Sequence, residues 1–509
     1  MSAAVDATPF PLDHLTLKGE PGAAALVDRD GPLDYAGLER QVGALADGLV
    51  AKGLGPGARV ASWLPKGRMT CLLPLACARA GLIHVPVNPL LKRAQLAHIL
   101  ADCEPGLLIT GEARAGTLEQ DDVNAGCGLV LEEEGKAMLS GANILPPSSA
   151  DPDSLAALLY TSGSTGLPKG VMLSHANLWL GAISVASYLH MKSEDRTLAV
   201  LPLSFDYGQN QLLSTWAAGG TVVPLDYLSA RDVIRAVERH GITTLAGVPT
   251  LWVQLIEALW PGTSALSLRR LTNSGGRLPA SMVRRMREIF PVADIFLMYG
   301  LTEAFRSTFL DPALVDSHPD SIGTAIPLAE VMVVRPDGSL TEDDEPGELV
   351  HAGPLVAKGY WHDEERTAQR FRPAPTASAY GGMAVWSGDT VRRDAEGLLT
   401  FVGRDDAMIK TAGHRISPTE IEEAAVASGL VAEAVAVGVH DDRLGEAIHL
   451  IVRADPRQAE AGEGPLRDYL KRELPNYMQP AHIAWRSEIP RNANGKPDRE
   501  RLKGEMAKL

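Results

Sequence analysis

Cysteine is scarce. Cys71, Cys77, Cys103 and Cys127 are the only four in 509 residues, all lie in the first quarter, and none forms a CxxC pair. A disulfide framework and a thiolate zinc site are excluded as organising devices, and reduced thiols in cytosol fit the pattern. Positive charge is also short: 48 Lys plus Arg stand against 63 Asp plus Glu, a formal net charge of −15. Such a field repels polyphosphate backbones and anionic lipid at long range, which argues against nucleic acid and membrane surfaces as partners. Long apolar runs are missing too. The most apolar stretch, residues 71–91, is broken by Arg79, His84 and three prolines, and is too interrupted for a spanning helix. The start, MSAAVDATPFPLDHL, holds Asp6 and Asp13, no Lys or Arg and no apolar core of signal-peptide length. A soluble cytoplasmic protein without stable membrane insertion is expected.

What is present is ordinary for a globular chain: 45% hydrophobic and 22% charged residues, enough to bury a sizeable core and to exclude disorder for most of the length. Short β-branched runs alternate with longer amphipathic segments: ARVASWLP before Met69 to Ala80, HVPVNP before AQLAHILADC, TLAVLPL before NQLLSTWAA, TVVPL before ARDVIRAVERHG. That alternation predicts βα units and an α/β fold with parallel sheets flanked by helices. From about residue 330 the texture changes to VMVVRPDGSL, EPGELVHAGPLV and GLLTFVGR, alternating strands joined by PDG, EPG and EG turns, which predicts a β-rich subdomain over about 330–403. Beyond it PTEIEEAAVAS and PLRDYLKREL read as helices, EAVAVGVH and EAIHLIVRA as strands. The expected division is a large N-terminal domain, 1–403, and a small α+β C-terminal domain, 404–509.

Residues 160–171, YTSGSTGLPKGV, follow the strand-like LAALL, and seven of the ten residues from Thr161 to Gly170 are Gly, Ser or Thr. Small side chains, exposed N–H groups and hydroxyls, with Lys169 close behind, suit a loop that wraps a polyphosphate. Lys169 sits between Pro168 and Gly170, so the string does not fit GxxxxGK[ST] and a P-loop ATPase is not indicated.

The whole string resembles the phosphate loop of the adenylate-forming superfamily: acyl-CoA synthetases, amino-acid adenylation domains and luciferases. NSGGRLP (273–279), MYGLTEA (298–304), GEL (347–349), WSGD (386–389), GRDDAMIKTAGHRISPTEIE (403–422) and PRNANGKPDR (490–499) resemble its further motifs in the expected order. The resemblance runs from about residue 20 to the end. It implies that ATP and a carboxylic acid are condensed to acyl-AMP with release of pyrophosphate, and the acyl group then passed to a phosphopantetheine thiol on CoA or a carrier protein.

Carried onto this chain, the resemblance gives Thr161, Ser162, Gly163, Ser164, Thr165, Gly166 and Lys169 to the phosphates, with Gly275 and Gly276 in the nucleotide site. Glu303 is the implied Mg²⁺ ligand and Thr302 lies near the α-phosphate. Tyr299 stacks on adenine, and Asp389 and Arg404 hold the ribose. Lys496 is the lysine that bridges substrate carboxylate and α-phosphate. Asp406 is the implied hinge about which the small mobile domain rotates, and Gly413 lines the thiol tunnel, with Ala412 where many members have a further glycine.

For the acid, LPLSFDYGQNQL (201–212) falls where the family begins its acyl pocket. Fatty-acid and aryl members carry a histidine near Phe205, whereas amino-acid-activating members often have Phe-Asp, and Asp206 follows the second pattern. Asp206 with Gln209 three residues on also suits a helix-capping variant. Arg306 lies late in EAFRST, and a buried arginine needs an anion, from substrate or from protein. If Asp206 and Arg306 both face the acid, the pocket suits a polar acid bearing an ammonium and a second carboxylate; if they pair with each other, an ordinary acyl chain fits. Asn210 and Ser274 are further pocket candidates. FDYG with EAFRST resembles stand-alone amino-acid-activating ligases and exosortase-associated acyl ligases. A medium- or long-chain fatty acyl-CoA ligase and a non-catalytic nucleotide-binding homologue are the competing readings.

Overall fold

A computed structural model of the chain describes residues 5–508 except 92, 163–167, 263, 405–407, 412–413, 442–443, 456–461 and 493–494. Three sheets organise it. At the centre of the largest, six strands run parallel: Ala24–Asp28, Thr221–Pro224, Arg196–Ala199, Thr244–Gly247, Arg270–Asn273 and Asp294–Tyr299, in that spatial order. Helices return the chain between them. Ala230–His240 is one, with its apolar face on Val233, Ile234 and Val237, and it ends where Gly241 takes the left-handed conformation of a helix C-cap. Trp216 and Trp252 are fully buried in this domain, and the Trp216 indole donates to the Ala25 carbonyl at 2.9 Å, tying a helix to the first strand.

The second sheet has six strands, parallel except for the last pair, where Leu155–Ser162 runs antiparallel to Pro168–Ser174. Residues 163–167 join those two strands, so the candidate phosphate loop is the connection of a hairpin. Gly163, Ser164, Thr165 and Gly166, like Asp406 and Gly413, lie outside the described residues. The strands from 321 onward pair antiparallel and extend one edge of the large sheet through Thr308–Phe309 and Ser321–Ala325. They share its hydrogen-bond ladder, because antiparallel hairpins can continue an open edge strand by strand.

Leu399–Arg404 still belongs to the large sheet, and Ile409–Thr411 to the third. This third sheet, with Val431–Asp441, Gly445–Ala454 and His482–Arg486, carries helices on both faces. Ile421, Leu450, Leu466 and Leu470 fill one side, and Val435, Ile451, Leu502 and Met506 the other. Each such buried aliphatic side chain contributes about 1.5–3 kcal/mol, so the small β/α domain has a core of its own.

Candidate active site

The candidate residues gather beyond the carboxyl ends of the parallel strands, where open α/β sheets bind ligands. Ser274 and Gly275 follow the strand Arg270–Asn273, Thr302 and Glu303 follow Asp294–Tyr299, and Phe205 and Asp206 come six and seven residues after the end of Arg196–Ala199. Thr161 and Lys169 face each other across the hairpin that carries residues 163–167, and Ser162 pairs with Pro168.

Glu303 sits in a single 3₁₀ turn, Thr302–Ala304, whose Glu303 carbonyl accepts from the Ala357 amide at 2.8 Å. Its carboxylate is buried and accepts from the Tyr360 hydroxyl at 2.6 Å, with Arg370 Nε at 4.0 Å. Lys169 Nζ stands 4.0 Å from the centre of the Tyr360 ring. Burial, and next the Glu303 charge, push the Tyr360 phenol far above its ordinary range, which keeps it a donor. Among the described residues no three His, Cys, Asp or Glu side chains gather as a metal cage. A single carboxylate suits Mg²⁺, which is held by one or two carboxylates together with nucleotide phosphates. Tyr360 and Arg370 escaped sequence reasoning, since nothing in the spacing of AKGYWHDEERT connects it to a glutamate 57 residues earlier.

The Tyr299 hydroxyl donates to Asp389 Oδ2. Burial, then the Asp389 charge, raise the Tyr299 phenol well above its usual value. Asp389 lies in the strand Met383–Arg393 and pairs in register with Arg404. The Gly388 amide donates to Glu348 Oε1 at 2.8 Å. Glu348, the acid of GEL, therefore holds the turn that delivers Asp389.

Lys496 reaches the large domain. Its ammonium stands 5.8 Å from the Phe205 ring centre, and the neighbouring Gly495 carbonyl accepts from Thr250 Oγ1 at 3.1 Å. Gly275 has φ +79°, and a Cβ there would lie 3.3 Å from Lys496 Cε, so glycine serves both the backbone and the approach of the lysine. Gly276 follows, its carbonyl held by Asn273 Nδ2 at 2.8 Å.

Asp206 is the first residue of the helix Asp206–Ala217, and Phe205 occupies the N-cap with no side-chain bond. The capping arrangement is not formed because the helix starts at Asp206, which places its carboxylate past the cap position. Thr302 Oγ1 donates to Asp206 Oδ1 at 3.3 Å. Burial raises the Asp206 carboxyl, while Arg306 and Lys496 pull it down. Arg306 Nη1 donates to Ser274 Oγ at 2.9 Å, and its guanidinium lies 4.6 Å from the Tyr207 ring centre. Among the described residues no carboxylate lies within 4.0 Å of Arg306, so Asp206 and Arg306 sense each other's charge without an ion pair. Between Glu303 and Arg306 the buried Phe305 has φ +61° and ψ −88°, a conformation that costs a non-glycine residue about 1–3 kcal/mol and persists where packing dictates it. Asn210, one turn along from Asp206, lines a small cavity with Tyr207 and Arg306.

The chain belongs to the AMP-binding enzyme family: the family model matches residues 15–361, and that of the AMP-binding enzyme C-terminal domain matches 420–496. Feruloyl-CoA synthase of Amycolatopsis sp is 32% identical over 495 residues, 96% of each chain. A probable non-canonical nonribosomal peptide synthetase, CymA of Salinispora arenicola, is 31% identical over 96% of this chain, which spans only 6% of that protein. O-succinylbenzoate Coenzyme A synthetase from Bacillus subtilis, solved with ATP and magnesium ion, has a TM-score of 0.83 at 27% identity, covering 97% of this chain and 99% of that one.

Proposed function

We propose that this chain is an AMP-forming acid–thiol ligase. A carboxylate oxygen of the acid attacks the α-phosphorus of ATP, the bond to pyrophosphate breaks, and acyl-AMP remains. A thiol sulfur then attacks the acyl carbon, its proton is lost to solvent and AMP departs. The observation that carries the reading is Lys496: the small domain brings its ammonium against Gly275 and into the field of Asp206. A fixed cation there offsets the repulsion between carboxylate and triphosphate and stabilises charge as it shifts.

Thr161, Ser162, the loop 163–166 and Lys169 hold the departing pyrophosphate. Thr302 lies near the α-phosphate. Glu303, kept in place by Tyr360, is the residue to hold Mg²⁺, which when bound neutralises phosphate charge. Tyr299 packs on adenine while its hydroxyl orients Asp389, which with Arg404 takes the ribose hydroxyls. Asp406 serves as hinge and Gly413 as tunnel lining when the small domain turns for the thiol step. The acceptor is CoA or a phosphopantetheinyl carrier protein, and relatives of both kinds support that pair of options.

The acid is small and polar. Asn210, Gln211, Thr272 and Arg306 put polar groups around the cavity they share with Tyr207, which disfavours a medium or long acyl chain. Among the described residues no helix is long and apolar enough to cross a membrane, in keeping with a cytoplasmic site of action. Exchange of labelled pyrophosphate into ATP, run with a panel of carboxylic and amino acids, tests the proposal. Absence of acid-dependent exchange across the whole panel would overturn it.

A further inference from the structure

The turn that carries Lys496 is closed at its base. Arg491 and Pro497 form an antiparallel bridge, the Asn492 amide donates to the Lys496 carbonyl at 2.8 Å, and the Lys496 amide donates to Asn492 Oδ1 at 3.1 Å. Arg491 and Lys496 are thereby tied through one short piece of backbone. Arg491 is in turn fastened to the small sheet. Its guanidinium meets Glu433 at 2.5 Å, and Glu433, which faces Arg453 in the strand register, also accepts from Arg453 Nε at 2.6 Å. Within the small domain two cations thus share one carboxylate.

The fourth member of the row comes from the large domain. Arg453 Nη2 reaches Glu257 Oε1 at 2.9 Å, and the two side chains are 17% and 24% exposed, so solvent and salt screen them less than a free surface pair. The order Glu257, Arg453, Glu433, Arg491 alternates in sign, and its charges balance only when Glu257 is in place. Glu257 is the last residue of the helix Pro249–Glu257, where the unpaired carbonyls of the final turn favour a cation and disfavour an acid. Arg453 accounts for an acid at this position, and helix stability does not. The first turn of the same helix supplies Thr250, whose hydroxyl donates to the Gly495 carbonyl at 3.1 Å. One helix therefore grips the small domain at both ends, at points about 10 Å apart along the axis at a rise of about 1.5 Å per residue. Both grips lead to the turn that presents Lys496.

We propose that Glu257 and Arg453 are positioning residues for acyl-AMP formation. Their ion pair fixes the small domain on the helix Pro249–Glu257, and through Glu433 and Arg491 it steadies the turn that holds Lys496 against Gly275. A misplacement of about 1 Å lowers a rate by about 100-fold, so such a latch acts on the reaction more than on folding. When the small domain turns for the thiol step, this one pair separates while Arg453, Glu433 and Arg491 stay together. The inference rests on the ligase reading above and names two residues that serve its first half-reaction.

The test is Glu257→Gln in the full-length enzyme, which keeps the shape of the helix end and removes the charge. With the acid that gives the fastest pyrophosphate exchange, kcat for exchange should fall about fivefold, the effect of a well-placed, partly sheltered ion pair. The KM for ATP and the rate of thioester formation from the matching supplied acyl-AMP should both stay within about twofold of the unaltered enzyme. Glu257→Asp should keep part of the exchange rate. Raising NaCl from about 0.05 to 0.5 M should lower kcat for exchange more steeply in the unaltered enzyme than in Glu257→Gln, which has lost a pair that salt screens. In an Arg453→Gln background, Glu257→Gln should bring no further loss, because the two side chains act as one contact. Undiminished exchange in Glu257→Gln overturns the inference and leaves the ligase standing. So does an equal fall in both half-reactions with a lowered melting temperature, the mark of a merely structural pair. No acid-dependent exchange by the unaltered enzyme overturns both.

Discussion

Arg277 of the large domain and Glu423 of the small one form an ion pair of 2.5 Å across the domain boundary, and Arg277 also holds Asp320 at 2.7 Å on its own side. Burial outweighs the arginine, and Asp320, Glu422 and Glu420 add to it, so the Glu423 carboxyl is pushed from 4.5 up to about 7. Once undocked and solvated it returns toward its ordinary value. The docked arrangement therefore binds a proton more tightly than the undocked one. Its advantage is full below the ordinary carboxyl range and is lost as pH rises through about 7. Energy transfer between dyes on the two domains should report more docking at about pH 6 than at about pH 8, with Glu423→Gln flattening the profile. Docking that increases with pH would reverse the sign and refute the assignment.

Lys496 is placed by backbone as much as by its own reach: Gly495 is anchored by Thr250, and Asn492 accepts from the Lys496 amide through Oδ1 at 3.1 Å. Lys496→Ala should lower adenylation by about 10²- to 10³-fold, the usual loss when a transition-state electrostatic contact is removed. Thioester formation from supplied acyl-AMP should stay near the unaltered rate, because the proposed mechanism gives that step to a different face of the small domain. Stopped-flow measurement of the two half-reactions checks this, and equal losses in both would contradict it.

Tyr360 tests the metal assignment. Tyr360→Phe keeps the ring beneath Lys169 but removes the hydroxyl that orients Glu303. One such hydrogen bond contributes about 1 kcal/mol, so the magnesium concentration for half-maximal exchange should rise about three- to tenfold. A lower melting temperature with an unchanged magnesium profile would assign Tyr360 to packing alone.

Much of this was legible because period and turn chemistry are local. The amphipathic ARDVIRAVERHG became the helix Ala230–His240, and Pro418 stands at the first position of the helix Pro418–Ala427. The helix 206–217 was legible too, but not its first residue, and one position decides whether Asp206 caps the helix or enters the pocket. Whether Arg306 pairs with Asp206 depends on strand ends brought together by the sheet, a relation that sequence spacing does not encode. Glu348 shows the same limit: GEL was visible, but its bond to the Gly388 amide exists only once two antiparallel strands align.

Gly208, in FDYG, links packing to specificity. The helix that carries Asp206 and Asn210 lies so close to the preceding turn that a Cβ at Gly208 would sit 1.9 Å from the Pro202 carbonyl oxygen. Backbone cannot yield there as a flexible side chain would, so Gly208→Ala must shift the helix by the order of an ångström. Overpacking of this kind costs about 1–3 kcal/mol, which lowers the melting temperature by a few degrees in a chain this long. The shift moves Asp206 and Asn210 while leaving Tyr299, Asp389 and Lys169, which ride on other strands. Pyrophosphate exchange should therefore give a raised KM for the acid, by about tenfold or more, with the KM for ATP nearly unchanged. An equal rise in both would mean that the helix positions the nucleotide as well, and that the division between acid pocket and nucleotide cleft is drawn in the wrong place.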